Sequence, residues 1–209
     1  MKTPRQLNFG AALKELESDT GFRSYAQPLH IKIPDARQRL AEGLNYYLAK
    51  QGRKMQWLPA YDEIANWLSD NEGRGLLCIG SCGLGKTLIC SHVLPVIIYQ
   101  CYDKIVTVMS ALELNNRLDE AKHDRMLSVD DIGTEPESVK FGERHIAFSE
   151  VVDEAEKRGT LLIVTSNMPP ETPEGSKYPS IMSYYGVRTL DRLQAITKMV
   201  VFKGKSFRN

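Results

Sequence analysis

Residues Gly80 to Thr87 read GSCGLGKT and fit the pattern GxxxxGK[ST]. Gly80, Gly83 and Gly85 let the backbone bend so that successive amide hydrogens converge on phosphate oxygens, and the positive end of a following helix adds to the attraction. Ser81, Cys82 and Leu84 complete the loop. The Lys86 ammonium suits the β and γ phosphates, and the Thr87 hydroxyl suits Mg²⁺. Such a loop implies a bound nucleotide and leaves its use open.

Hydrolysis asks for more: an acidic strand end that holds the metal ion and a group that orients water. The run MLSVDDIGTEP ends an apolar stretch in Asp130 and Asp131. Adjacent aspartates repel unless a cation lies between them, although at a solvated turn they would be harmless. Beside the loop, Asp130 is expected on Mg²⁺ and Asp131 positioning water. A second run, LLIVTSN, ends in Thr165, Ser166 and Asn167. The Asn167 amide suits the attacking water or the γ phosphate, although polar residues also simply end strands. In VRTLDRL, Arg188 and Arg192 are four apart and share a helix face. Either could reach the γ phosphate of a neighbouring subunit, or both could form surface ion pairs of little worth.

Hydrophobic periodicity predicts the elements that must hold these residues. PDARQRLAEGLNYYLAK places Leu40, Leu44, Tyr47 and Leu48 at helical spacing and predicts a helix ending near Gly52. PAYDEIANWLSDNEGRG predicts a second, with Ile64, Trp67 and Leu68 on one face. Apolar runs then alternate with helical patterns: strand GLLCIG, the loop and helix KTLICSHVLPVIIYQCY, strand KIVTVM, a short helix in ALELNNRLDEA, strand MLSVDD, a helix within GERHIAFSEVVDEAEKR, strand TLLIVTSN, helix VRTLDRLQAI and strand KMVVFKG. This alternation predicts an α/β fold, a five-stranded parallel sheet flanked by helices. Pro95 lacks an amide hydrogen and predicts a kink or break near Ser91 to Pro95.

With 209 residues there is room for one main domain and a short appendage. Lysine plus arginine, 27, nearly balances aspartate plus glutamate, 26, so net charge does not point to nucleic acid. No apolar run approaches the roughly 18 to 20 residues that cross a bilayer. The amino end, MKTPRQLNFG, has no secretory apolar core, so a cytoplasmic location is expected. Cys78, Cys82, Cys90 and Cys101 lack the second pair and spaced histidines of a zinc site and are expected to be buried free thiols.

Taken in order, GLLCIGSCGLGKT, SVDDIGTEP, IVTSN and YYGVRTLDRL, followed by VVFKGKSFR, resemble the AAA+ ATPases of the DnaC-like family, which comprises loaders of the replicative helicase and the related ATPase helpers of IstB-type transposition. The resemblance covers roughly Tyr61 to Arg208, and its most specific part is the aspartate pair followed by Ile-Gly-Thr-Glu. It implies ATP and Mg²⁺ as ligands, Gly80 to Thr87 as Walker A, Asp130 and Asp131 as Walker B, Asn167 as sensor 1, and Arg188 or Arg192 as the arginine finger. It implies a P-loop NTPase with an AAA+ core and no carboxy-terminal helical lid over residues 56–209, and a small helical amino-terminal region, 1–55, that grips the partner. That partner would be a hexameric replicative DNA helicase, loaded at the initiation of replication by an ATP-dependent homo-oligomer, with single-stranded DNA a further candidate. The alternative is an IstB-like helper of transposition.

Two features depart from that pattern. The stretch between the loop and Asp130 is shorter than in loaders with an extra helical insert for single-stranded DNA, and Gly159 follows Arg158 where an aromatic is usual. The basic tail, Lys198, Lys203, Lys205 and Arg208, is expected to be a solvated end. A small-molecule kinase would need a lid and an acceptor pocket, for which no segment is evident. A nucleotide-binding adaptor without turnover stays open because Asp131 stands where many AAA+ proteins have glutamate.

Overall fold

The computed structural model describes residues 8–20, 28–135, 138–140 and 143–207. Arg208 lies outside the described residues. Helices are α1 Phe9–Thr20, α2 Ala36–Lys50, α3 Pro59–Ser69, α4 Leu94–Tyr102, α5 Ala111–Leu114, α6 Leu118–His123, α7 Ala147–Arg158, α8 Ile181–Tyr185 and α9 Val187–Ile196. Strands are β1 Gly75–Gly80, β2 Thr107–Ser110, β3 Met126–Ile132, β4 Ser138–Lys140, β5 Glu143–His145, β6 Leu161–Ser166 and β7 Thr197–Phe202.

Five strands form one parallel sheet in the order β2-β3-β6-β1-β7. Their interiors are apolar because helices cover both faces. Leu76 and Cys78 pack with α2, α3 and α4 on one side, while Leu77 and Ile79 pack with α5 to α9 on the other. This is the period-two alternation of a strand buried on both faces. β4 and β5 make a separate antiparallel pair that the sequence does not predict. Three-residue strands carry too little periodicity to announce themselves.

The α/β fold and its five-stranded parallel sheet are as the sequence predicts. Between β2 and β3 the chain forms two short helices, α5 and α6, where one was expected. α2 shares its core with the sheet through Leu40 and Leu44, whereas α1 buries no residue. No helix follows β7 among the described residues, and none of them is long and apolar enough to cross a membrane.

Pro95 has the expected consequence in a particular form. Leu88–Val93 is a π-helical turn, with the Leu94 amide bonded to the Ile89 carbonyl five residues back, and α4 starts with Pro95 in its first turn. A proline in the first turn costs no amide bond, and the wider turn before it absorbs the mismatch. The Cys90 carbonyl in this turn accepts from Ser128 Oγ at 3.1 Å.

The cysteine expectation needs correction. Cys78 and Cys90 are buried, with their sulfurs 3.6 Å apart, but Cys82 and Cys101 are exposed. Cys82 stands on the solvent side of the phosphate loop, and Cys101 lies in the last turn of α4, outside the packed stripe.

Candidate functional site

β1 and the loop that follows it are held from three sides. Leu84 is fully buried, pinning the loop's middle to the core. Its carbonyl accepts from the Tyr61 hydroxyl at 3.0 Å. Burial pushes the Tyr61 phenol up to about 12, so it stays a donor. The Gly83 carbonyl accepts the Phe207 amide at 3.0 Å. The carboxy-terminal segment is therefore docked on the loop and is not a purely solvated end, although Lys198, Lys203 and Lys205 are exposed. Gly80 has φ +126°, and a Cβ there would come within 2.2 Å of the Phe202 carbonyl. Only glycine lets β1 turn out of the sheet so close to β7.

Lys86 is 6 % exposed. An ammonium has three donors, and all are used: on the Gly80 carbonyl at 2.7 Å, the Ser81 carbonyl at 2.8 Å and Asn167 Oδ1 at 2.9 Å. Burial lowers its pKa. The Asn167 amide nitrogen donates to Asp131 Oδ1 at 2.7 Å. Lysine on one side and carboxylate on the other leave only this orientation of the Asn167 amide.

β6 lies between β1 and β3 in the sheet. That position is why Asn167, at its end, bridges the loop lysine and the acidic strand end. The carboxyl groups of Asp130 and Asp131 both lie against β6 because β3 is irregular there: its register with β6 shifts between Val129 and Ile132, and Asp131 has φ +58°. In a regular strand, consecutive side chains point to opposite faces. A bulge with a left-handed aspartate, one of the few residue types that tolerate that conformation, overrides the alternation.

Thr165 ties the pair together. Its hydroxyl accepts the Asp131 amide at 2.8 Å and donates to Asp130 Oδ1 at 2.6 Å. Thr165 and Asn167 are two apart and share a face. The sequence marks Thr165 only as a strand-end polar residue; its spacing to Asn167 was the available signal. Tyr61 and Phe207 carried no signal at all, because their contacts with the loop cross long stretches of chain.

A cleft of about 800 Å³ opens over these groups. It runs from Cys82, Gly83, Lys86 and Thr87 past Asp131 and Asn167, and reaches the α2–α3 connection at Gln51, Arg53 and Gln56. A triphosphate end and a nucleoside end both have room. For a metal ion the cleft offers the Thr87 hydroxyl and the Asp131 carboxylate; Asp130 does not line the cleft, and its carboxylate is held next to Asp131 through Thr165. Among the described residues no cluster of three His, Cys, Asp or Glu side chains could hold a metal by itself. This donor set fits Mg²⁺, which keeps waters and takes phosphate oxygens in place of a full protein cage.

Arg188 and Arg192 do not border the cleft. Both lie toward α7, but unequally. Arg192, with a 21 % exposed side chain, pairs with Asp153 and, at 3.2 Å, with Glu156. Arg188 is 74 % exposed and only 3.7 Å from Asp153.

Sheet order, glycine-rich loop and flanking helices together define an α/β fold of the P-loop kind, a five-stranded parallel sheet flanked by helices. Among solved structures, that of the DnaC helicase loader matches with a TM-score of 0.52 at 16 % identity, covering 72 % of this chain and 94 % of that one. This likeness shows the fold. A structure of DnaI matches with a TM-score of 0.45 at 20 % identity over 65 % of this chain and 73 % of that one. AMPPCP-bound DnaA from Aquifex aeolicus matches with a TM-score of 0.47 at 18 % identity over 69 % of this chain and 45 % of that one. No protein-family model matches the chain, and no curated protein sequence does either.

Proposed function

We propose that the protein is an ATP-hydrolysing assembly factor that loads a hexameric replicative DNA helicase during the initiation of replication. The observation that carries this reading is the chain of hydrogen bonds Lys86–Asn167–Asp131, which joins the phosphate loop to the acidic strand end through one amide. A change at the phosphate end must be felt at the acidic end, as a nucleotide-driven switch requires.

Bound Mg²⁺·ATP supplies the electrophilic γ phosphorus and the cation charge that offsets developing negative charge. The amides of Gly80 to Thr87 cradle the phosphates, and the Lys86 ammonium exchanges its carbonyl partners for phosphate oxygens. Thr87 and Asp130 would hold the ion. Asp131 orients water and takes its proton, while Asn167 fixes the Asp131 carboxylate. Arg188 is the arginine finger, since its side chain is exposed enough to reach a neighbouring copy. Arg192 is an internal strut between α9 and α7. Residues 1–55 grip the helicase, with α1, which buries no residue, offering one exposed helix of that region. Hydrolysis then depends on a second subunit, so a lone monomer is slow.

A pull-down with Lys86→Ala as bait tests the reading. That variant keeps its surface and stalls in an unproductive complex. Recovery of a hexameric helicase supports loading, recovery of an integrase-like transposase supports the transposition alternative, and recovery of neither refutes both.

A further inference from the structure

Glu135, the last residue of the Asp-Asp-Ile-Gly-Thr-Glu run, takes no part in the mechanism above, although it is 3 % exposed. One carboxylate oxygen accepts the Gly133 amide at 2.8 Å, and the other accepts the hydroxyl of Tyr185. Its own carbonyl accepts the Tyr184 hydroxyl at 2.5 Å. Tyr185 is 6 % exposed, with its ring 5.0 Å from that of Phe148. Burial and the adjacent carboxylate hold the Tyr185 phenol well above its usual range, which keeps it a donor.

A buried glutamate spent on two consecutive tyrosines has a mechanical meaning here. The turn that carries it is stiff: Thr134 Oγ1 bonds the Asp131 carbonyl at 2.8 Å, and Ser166 Oγ bonds the Ile132 carbonyl at 3.0 Å. The tyrosines end α8, which is also tied to the segment after Asn167, with Ile181 and Met182 donating to the Pro169 and Pro170 carbonyls at 2.9 Å each. Helix α8 thus touches the ends of both β3 and β6, the strands that carry Asp131 and Asn167. Directly beyond it, Gly186 with φ +88° joins α8 to α9, and Arg188 follows two residues later.

We propose that Glu135 is a positioning residue which, through Tyr184 and Tyr185, fastens α8 and α9 to the end of β3, so that a subunit's own nucleotide site sets the aim of its Arg188 toward a second copy of the chain. The inference rests on the ATPase reading with Arg188 acting in trans. It makes each subunit's arginine report that subunit's own site, which couples neighbours in one direction around an oligomer.

The test uses the full chain and Tyr185→Phe, which removes one hydroxyl and keeps the ring. ATP affinity is measured with a fluorescent ATP analogue, and turnover is measured against protein concentration. A displacement of about 1 Å in a catalytic group costs on the order of 10²-fold. The variant is expected to lose about 10- to 100-fold in kcat while binding ATP within about twofold of wild type. Mixing it with Asp131→Asn subunits, which keep the loop and the acceptor for Asn167 but lack the water-orienting carboxylate, supplies well-aimed arginines and restores turnover at the variant's sites. A merely structural defect in the variant's own site would not be rescued. Turnover within about twofold of wild type, an equal loss of affinity and kcat, or failure of the mixture to recover overturns the proposal. If Tyr185→Phe melts below the assay temperature, Tyr184→Phe is judged by the same criteria. Wild-type turnover that does not depend on protein concentration overturns the in-trans reading itself, and it is seen before any variant is made.

Discussion

Arg188→Ala and Arg192→Ala should separate cleanly, one in activity and the other in stability. Arg192 makes charge-assisted contacts to Asp153 and Glu156, whose side chains are 33 % and 28 % exposed. A hydrogen bond to a charged group is worth about 1.5–3 kcal/mol when water is kept away. Partial exposure screens these contacts, and Arg188 stands close enough to Asp153 to take up part of the loss. Removing Arg192 should therefore cost about 2 kcal/mol. For a chain of this length that lowers Tm by about 4–8 °C. Arg188, mostly exposed, should shift Tm by no more than about 2 °C. Turnover measured at high protein concentration inverts the order. Loss of an arginine finger costs on the order of 10³-fold or more, and this loss belongs to Arg188→Ala. Arg192→Ala, assayed well below its own Tm, keeps turnover within about tenfold of wild type. Differential scanning calorimetry and a coupled ATPase assay on the same preparations read both quantities. An Arg192→Ala protein with unchanged Tm and abolished turnover would refute the assignment, as would full turnover in Arg188→Ala.

Alkaline pH and one glycine offer further checks. The Tyr61 phenol is raised from 10.0 to about 12 in the folded protein, so below pH 10 both states are protonated and its contribution is whole. Above pH 10 the unfolded chain ionises first, and on the order of 2 kcal/mol is lost by pH 12; Tyr61→Phe should flatten this fall in urea melts, and an unchanged slope would count against it. Gly133 has φ +92°, and a Cβ there would come 2.2 Å from the Met168 terminal carbon. Gly133→Ala should cost about 1–3 kcal/mol, visible as a lower urea midpoint, and a midpoint equal to wild type would show that the turn relaxes freely.

Much of this fold was legible from local pattern. GLLCIG coincides with β1 and VRTLDRLQAI with α9 to the residue. Runs bounded by glycine or charge need no distant partner to be recognised. The errors have physical causes too: α5 and α6 are two short helices because Ser110 caps the first with a reciprocal bond to Glu113, and the α5–α6 break carries no glycine or proline to mark it. Cys82 and Cys101 are exposed where the sequence predicts burial, because composition alone does not tell which side of a loop or helix faces water.

By itself the sequence determined the glycine-rich loop before a helix, the acidic strand end, the order of elements and the residue types available for chemistry, because each is encoded within a few neighbours. Only the tertiary structure decided how they meet. Thr165 bridges two aspartates 34 and 35 residues away. Asn167 reaches Lys86 across 81 residues because β6 is the strand inserted between β1 and β3. The same holds for the unequal exposure of the two arginines and for the grip of Glu135 on Tyr185, 50 residues on. Contacts of that span are set by sheet order and helix packing, which local periodicity does not record.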